Sequence, residues 1–166
     1  MSLKRILAIA LVLVVLAVFG SVSVLAGGPN GQAGKSNVAH LYLAAKNPST
    51  WSIVEDGAWG KMQYRLSGPT FNCEFNGHLL QPGVAYDLIY YPDPWPGNGL
   101  IVLGTATANA GGNVHIAANI VTGDLSNAKI WLVLAADVSP IEPHAMIGWN
   151  PTDYLFETAL ITFDAP

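Results

Sequence analysis

The sequence predicts an all-β domain over residues 37–166. From Asn37 onward, apolar segments alternate with clusters rich in Gly, Pro, Asn and Asp, which is the spacing of strands and turns in sandwiches and barrels. No window carries the sustained apolar period of a long amphipathic helix. The N-terminal apolar segment precedes this pattern and is typical of a signal helix. We therefore expect a Greek-key β-sandwich of about seven to nine strands, with short helical turns, behind that helix.

The apolar segments define the predicted strands. Their alternation of apolar and polar positions indicates strands with one buried face. In chain order they are Val38–Ala45, Lys61–Ser67, Thr70–Leu79, Tyr86–Tyr91, Leu100–Thr107, Asn113–Val121, Lys129–Ala135 and Phe156–Phe163.

Two kinds of turn connect these strands. Residues 108–113 (ANAGGN) predict a hairpin loop, because their glycines supply positive φ angles. Asn47-Pro48 and Asn150-Pro151 predict short helical turns, since Asn caps a helix and Pro suits its first position.

The most specific local motif is Leu80-Gln-Pro-Gly-Val-Ala-Tyr86. It resembles the L-x-P-G-x-x-Y tyrosine corner of fibronectin type III domains. Pro82 and Gly83 reverse the chain, and the Tyr86 hydroxyl is expected to bind upstream backbone, with Leu80 beside it. The resemblance implies an immunoglobulin- or fibronectin-like Greek-key sandwich. It implies no function, because this architecture carries many unrelated ones.

A wider resemblance extends from about Val38 to the end of the chain. The segments GAWGKMQYRLSG, LLQPGVAYDLIYYPDPWP, GGNVHI and WNPTDYLFET resemble uncharacterised exported β-sandwich proteins of archaea and bacteria. This resemblance implies export and a sandwich fold, and it brings no catalytic residues with it.

Residues 1–26 predict a signal peptide. Basic Lys4 and Arg5 precede an uncharged apolar run from Ile6 to Phe19, and small or short side chains at Val24 and Ala26 suit a signal peptidase. We expect cleavage after Ala26, a flexible tether over residues 27–36, and a secreted or cell-surface domain. The alternative is an uncleaved membrane anchor over residues 6–26.

The amino-acid composition limits the classes of molecule that the protein can bind. After cleavage, five basic residues would stand against eleven acidic ones, a net charge of −6. Such a chain lacks the positive surface that nucleic acid requires, so we expect no nucleic-acid partner. Charged residues are 11% of the chain, against about 25% in an average domain. A neutral polar surface of this kind suits contact with protein or glycan, or self-association.

The sequence gives no catalytic motif, and we expect no enzyme, cofactor or metal centre. The only cysteine, Cys73, alternates with Phe71 and Phe75 and is expected to be a small buried side chain. The histidines (His40, His78, His115 and His144) lack metal-ligand spacing. Asp93, Asp137 and Asp153 fall in predicted loops, where a calcium site would be the milder alternative.

The best candidate for binding is the loop of residues 90–99 (YYPDPWPGNG). Its prolines are expected to hold the loop extended, so that Trp95 loses little entropy on contact with a partner. Tyr91, Asp93 and Asn98 flank Trp95 and complete the candidate site. The alternative is that Trp95 covers one end of the core.

These observations leave two function classes open. The first is a non-catalytic exported or cell-surface module that contacts an envelope protein or glycan. The second is a small secreted enzyme or a calcium-assisted carbohydrate-binding domain. A polar cleft with convergent titratable groups would favour the second class.

Overall fold

The structure, a computed structural model, describes residues 36–166. The signal peptide, its cleavage after Ala26 and all but Ser36 of the expected tether lie outside these residues. Nine strands are present: β1 Val38–Ala44, β2 Trp59–Arg65, β3 Phe71–His78, β4 Ala85–Tyr91, β5 Ile101–Thr107, β6 Val114–Ile120, β7 Leu125–Leu134, β8 Leu155–Glu157 and β9 Ile161–Phe163. Two single turns of 3-10 helix, Ala135–Asp137 and Pro151–Asp153, separate β7 from β8. The all-β prediction is confirmed.

The strands form one antiparallel sheet that nearly closes on itself. Their order is β5-β4-β7-β8-β1-β2-β3-β6, with β9 paired to β7. The two end strands meet side by side, so that a Cβ added to Gly104 of β5 would lie 2.6 Å from Ile116 of β6. Within residues 36–166, however, no backbone ladder joins them. The fold is barrel-like, and the predicted Greek-key sandwich is not confirmed.

The main core fills the inside of this sheet. Alternate residues of each strand point inward, as in β3, where Phe71, Cys73 and Phe75 are buried. This pattern follows from the two-residue repeat of a strand. Cys73 is therefore a small core side chain, as its spacing predicts, and burial raises the pKa of its thiol to about 12.

A second core lies on the opposite face of β4, β7 and β8. Its members are Ile89, Tyr91, Leu100, Trp131, Val133, Val138, Met146, Tyr154 and Phe156. These three strands are consequently buried on both faces, unlike the strands that alternate between core and solvent. The segments that follow β4 and β7 cover this outer face, and they position the candidate site described below.

Two predicted strands differ from the observed ones. The expected strand Phe156–Phe163 is divided into β8 and β9, because the register against β7 shifts by two residues between Phe156 and Ile161. Thr158 keeps the β8 register against β1 and donates to Tyr42 O through both its N–H and its hydroxyl, each at 2.9 Å. Strand β7 begins four residues before the predicted Lys129, at Leu125. An irregularity between Leu125 and Ala128 interrupts its pairing with β9 and includes Asn127 at positive φ.

The reversal before β4 has the contacts expected from its sequence. The Gln81 N–H donates to the Tyr86 hydroxyl at 3.3 Å, and Tyr86 and Leu80 are buried. Pro82 and Gly83 form the turn, in which the Gly83 N–H donates to Ala108 O at 2.8 Å. The predicted contact of Tyr86 is therefore present in a barrel-like sheet.

The two Asn-Pro turns differ from each other. The Asn47 side chain accepts hydrogen bonds from the Ser49 and Thr50 N–H groups at 2.9 and 3.3 Å, although the turn does not become a helix. Asn150-Pro151 does begin a 3-10 turn, but the Asn150 side chain makes no capping bond. It donates instead to Asp137. No helix in the described part of the chain has the length and apolarity needed to cross a membrane.

Candidate functional site

An open cleft of about 610 Å³ lies on the outer face of β4 and β7. We call it the tryptophan cleft. It is lined by Trp51, Tyr91, Asp93, Trp95, Lys129, Trp131 and Trp149. Four of the five tryptophans of the chain meet here, although they are far apart in the sequence.

The floor of the cleft is built by neighbouring strands. Tyr91 at the end of β4 pairs with Lys129 of β7, and Trp131 lies two residues further along the same face of β7. The rings of Tyr91 and Trp131 stack with centroids 3.9 Å apart and planes 12° from parallel. Phe156 of β8 meets Trp131 edge-on at 5.2 Å. The rings of Tyr91 and Trp131 are both buried, so the floor is rigid and apolar.

Three half-exposed indoles form the walls. Trp51, Trp95 and Trp149 are 47%, 50% and 45% exposed, and each comes from a different loop. Trp95 and Trp149 contact each other edge-on at 5.4 Å, and Trp51 lies 4.8 Å from Phe156 between ring centroids. Half of Trp95 faces solvent, so this side chain is not fully buried against the core.

The loop that carries Trp95 is folded, and the expectation of an extended loop is wrong. Successive turns are closed by the Gly97 N–H donating to Pro94 O at 2.8 Å and the Leu100 N–H donating to Gly97 O at 2.9 Å. Gly97 has a φ of 73° and packs against Tyr91, where a Cβ would lie 2.4 Å from the ring. The Met146 N–H also donates to Pro96 O at 2.8 Å, which fixes the loop to the facing segment.

The sequence-predicted site residues divide into two groups. Tyr91, Asp93 and Trp95 come together in the tryptophan cleft. Asn98 is exposed and is not among the residues that line the cleft.

Trp149 is held in place by a buried carboxylate. Asp137 accepts hydrogen bonds from both sides of its carboxyl group: Asn150 Nδ2 lies 3.1 and 2.9 Å from its two oxygens, and the Tyr154 hydroxyl donates to Oδ2 at 2.5 Å. Burial and this bond to Asp137 raise the pKa of Tyr154. Gly148 is required at this place, since a Cβ would lie 2.1 Å from Asp137 Oδ1. The turn around Trp149 is thus fixed by polar contacts from both flanks.

Trp51 is positioned by the Asn47 turn. The Trp51 N–H donates to Asn47 O at 2.7 Å, and the residue adopts a φ of 60°. The Lys46 ammonium lies 5.7 Å from the centroid of the Trp51 ring, and it also donates to Glu157 O at 2.9 Å. The loop between β1 and β2 is therefore attached to β8 next to the floor.

The polar groups of the cleft are an ion pair at its rim. Lys129 Nζ lies 2.5 Å from Asp93 Oδ2, and Asp93 is the more exposed of the two. Behind the floor, burial raises the pKa of the Glu157 carboxyl, opposed by its own backbone N–H and by Lys46. The indole N–H of the buried Trp131 also opposes this rise in the Glu157 pKa. Its geometry is outside that of a hydrogen bond, and within residues 36–166 this N–H has no hydrogen-bond partner.

The described residues contain no group of three or more His, Cys, Asp or Glu side chains that could hold a metal ion. The three carboxylates of the expected calcium alternative are engaged separately. Asp93 is paired with Lys129, Asp137 binds Asn150 and Tyr154, and Asp153 lines a different, smaller pocket beside Tyr86. They do not converge.

Sequence reasoning missed four residues of the cleft, namely Trp51, Lys129, Trp131 and Trp149. The one available signal was the high number of tryptophans in a weakly charged chain, and it does not say which of them meet. Comparison of the chain with protein-family models, with curated proteins and with solved structures gives no match.

Proposed function

We propose that the protein is a non-catalytic binding module, exported or displayed at the cell surface, and that it holds its ligand in the tryptophan cleft. The observation that carries this proposal is the set of three half-exposed indoles around a buried aromatic floor. Exposed apolar surface costs about 25 cal/mol per Å². A cluster of such surface, held by fixed turns, is typical of a binding site.

The rigidity of the walls supports binding. Trp149 is fixed by the Asp137 contacts and Trp95 by the turns at Gly97. A ligand that contacts these rings therefore orders few side chains on binding, which lowers the entropic cost of association.

The lining residues offer little for catalysis. The titratable groups that line the cleft are Asp93 and Lys129, which neutralise each other at the rim, and Tyr91, whose ring is stacked in the floor. The only thiol of the chain, that of Cys73, is in the main core with its pKa raised. We therefore favour binding over the alternative of a small secreted enzyme or calcium-assisted carbohydrate binder.

We also propose that the protein is exported. The basic, apolar and small-residue pattern of residues 1–26 supports export, with a secreted or cell-surface protein as the result. Retention of residues 6–26 as an anchor would instead hold the protein at the membrane. A proposed likeness of the fold to fibronectin-like sandwiches is supported by the corner motif of residues 80–86 and by the Tyr86 hydrogen bond.

The test compares two tryptophan variants for binding to cell envelopes of the native host. Trp95→Ala removes a wall of the cleft, and we expect binding to weaken by about 2 kcal/mol or more, as for a hot-spot residue. Trp59→Ala is the matched control, because Trp59 is 42% exposed but lies on β2, outside the cleft. Equal loss in both variants, or no loss in a folded Trp95→Ala protein, would contradict the proposal.

A further inference from the structure

We infer that the ligand of the tryptophan cleft is a neutral glycan, bound with its sugar rings against the indole walls. This inference rests on the proposed function and names the class of ligand for the same site.

The walls suit the faces of sugar rings. An aromatic ring is negative on its face, and the C–H groups on one face of a pyranose carry partial positive charge. The half-exposed faces of Trp51, Trp95 and Trp149 can therefore accept these C–H groups, while the hydroxyls of the sugar point outward to water. The stacked floor of Tyr91 and Trp131 provides an apolar base for such contacts.

The rim suits hydroxyl groups. Asp93 Oδ2 is occupied by Lys129, whereas Oδ1 accepts no hydrogen bond from the residues that the structure describes. The Lys129 ammonium has three donors, of which Asp93 uses one. Neighbouring hydroxyls of one sugar can thus donate to Asp93 and accept from Lys129.

The charge of the cleft suits a neutral ligand. Asp93 and Lys129 are the charged residues that line it, and their charges cancel. An anionic or cationic ligand would find no net opposite charge at the rim. Nucleic acid also stacks on tryptophan, but its phosphates would meet a chain with a net charge of −4.

The size of the cleft favours a glycan over a folded protein. Its volume of about 610 Å³ falls within the range of about 300–1,000 Å³ that is usual for small-ligand pockets. A specific protein partner normally covers about 800 Å² on each side, with about 20–30 residues. Seven residues line the cleft, which is enough for a short stretch of polysaccharide.

The experiment uses the full chain and two preparations from the envelope of the native host. One is the untreated envelope, and the other is the polysaccharide that remains after exhaustive proteolysis and detergent extraction. We expect the polysaccharide to retain binding, with Trp95→Ala weakening it about 30-fold or more and Trp59→Ala leaving it unchanged. Affinity should change by less than about twofold between low and moderate salt, because few charges take part.

Two results would overturn the assignment of a neutral glycan while leaving the proposed function intact. The first is Trp95-dependent binding to the untreated envelope that disappears on proteolysis. The second is binding to the polysaccharide that falls steeply with salt and is competed by charged but not by neutral oligosaccharides. Absence of Trp95-dependent binding to either preparation would overturn the proposed function itself.

Discussion

The Tyr86 hydroxyl is a buried polar group with one protein partner in the described chain, the Gln81 N–H. Its position follows from local sequence, since Pro82 and Gly83 turn the chain between the two residues. This is the part of the fold that a short motif can specify, because the contact between Gln81 and Tyr86 spans five residues of the sequence.

We predict that Tyr86→Phe lowers the free energy of unfolding by about 1 kcal/mol, the usual value of one hydrogen bond. The ring remains in the core, so the loss should come from the unpaired Gln81 N–H. Denaturant unfolding measures it. Tyr90→Phe is the control, since the described residues offer no hydrogen-bond partner to the Tyr90 hydroxyl. Equal stability of wild type and Tyr86→Phe would show that the observed 3.3 Å contact contributes nothing.

Glu157 gives a prediction for pH dependence. Burial raises its folded-state pKa above the ordinary value of 4.5. The folded protein therefore binds this proton more tightly than the unfolded chain, and the stabilisation is complete below the unfolded pKa and lost as the pH rises through the folded pKa. Glu157→Gln should be more stable than wild type at pH 7, and the difference should disappear near pH 4.

Thermal unfolding at several pH values tests this prediction. The control is Glu74→Gln, at an exposed position of β3. A Glu157→Gln protein that is less stable than wild type at pH 7 would contradict it. That result would mean that the attraction of Glu157 to Lys46 and Lys129 outweighs its burial.

Among the elements, the turn at residues 148–154 shows how a loop can be as well fixed as a strand. Asp137 ends the 3-10 turn that follows β7, and Asn150 and Tyr154 come from the turn before β8. Because the carboxylate joins two segments of the chain, its contacts set the position of Trp149 between them.

We predict that Asp137→Asn lowers the free energy of unfolding by about 1.5–3 kcal/mol, the value of hydrogen bonds to a charged group. It should also broaden the indole N–H resonance of Trp149 in NMR spectra. Asp87→Asn is the matched control, since Asp87 is a buried carboxylate of β4 bonded to Thr105 at 2.6 Å. It should cost stability without broadening the Trp149 signal. A sharp, unshifted Trp149 signal in Asp137→Asn would contradict the positioning role.

The elements also show where sequence patterns stop being informative. The alternation in β3 predicts its inward face correctly, because one face is in contact with solvent. In β4 the residues from Tyr86 to Ile89 are all buried, since this strand is covered on both faces. The alternation is lost there, and with it the signal for the second core. The split of β8 from β9 depends on a shift of register against β7, which the local pattern of residues 156–163 does not reveal.

At the scale of the whole molecule, strand order decides both the fold and the site. The sequence predicts strands but not the pairing of β7 with β4, from which β7 is separated in the chain by β5 and β6. That pairing makes one continuous sheet where two separate sheets are expected. It also brings Trp131 beside Tyr91 and close to the loops of Trp95 and Trp149. The candidate loop of residues 90–99 is local and could be found, whereas the rest of the cleft depends on these long-range contacts.

The measurement that tests the binding role of the tryptophan cleft most directly is hydroxyl-radical footprinting of the protein on native envelopes, with the oxidation of each tryptophan read by mass spectrometry. Trp59 is an internal control, because its exposure of 42% is close to that of the three wall residues. We predict that oxidation of Trp51, Trp95 and Trp149 falls on binding while that of Trp59 is unchanged. Binding that protects Trp59 or the exposed residues of β5 and β6, and leaves the three wall tryptophans as reactive as in the free protein, would contradict the account.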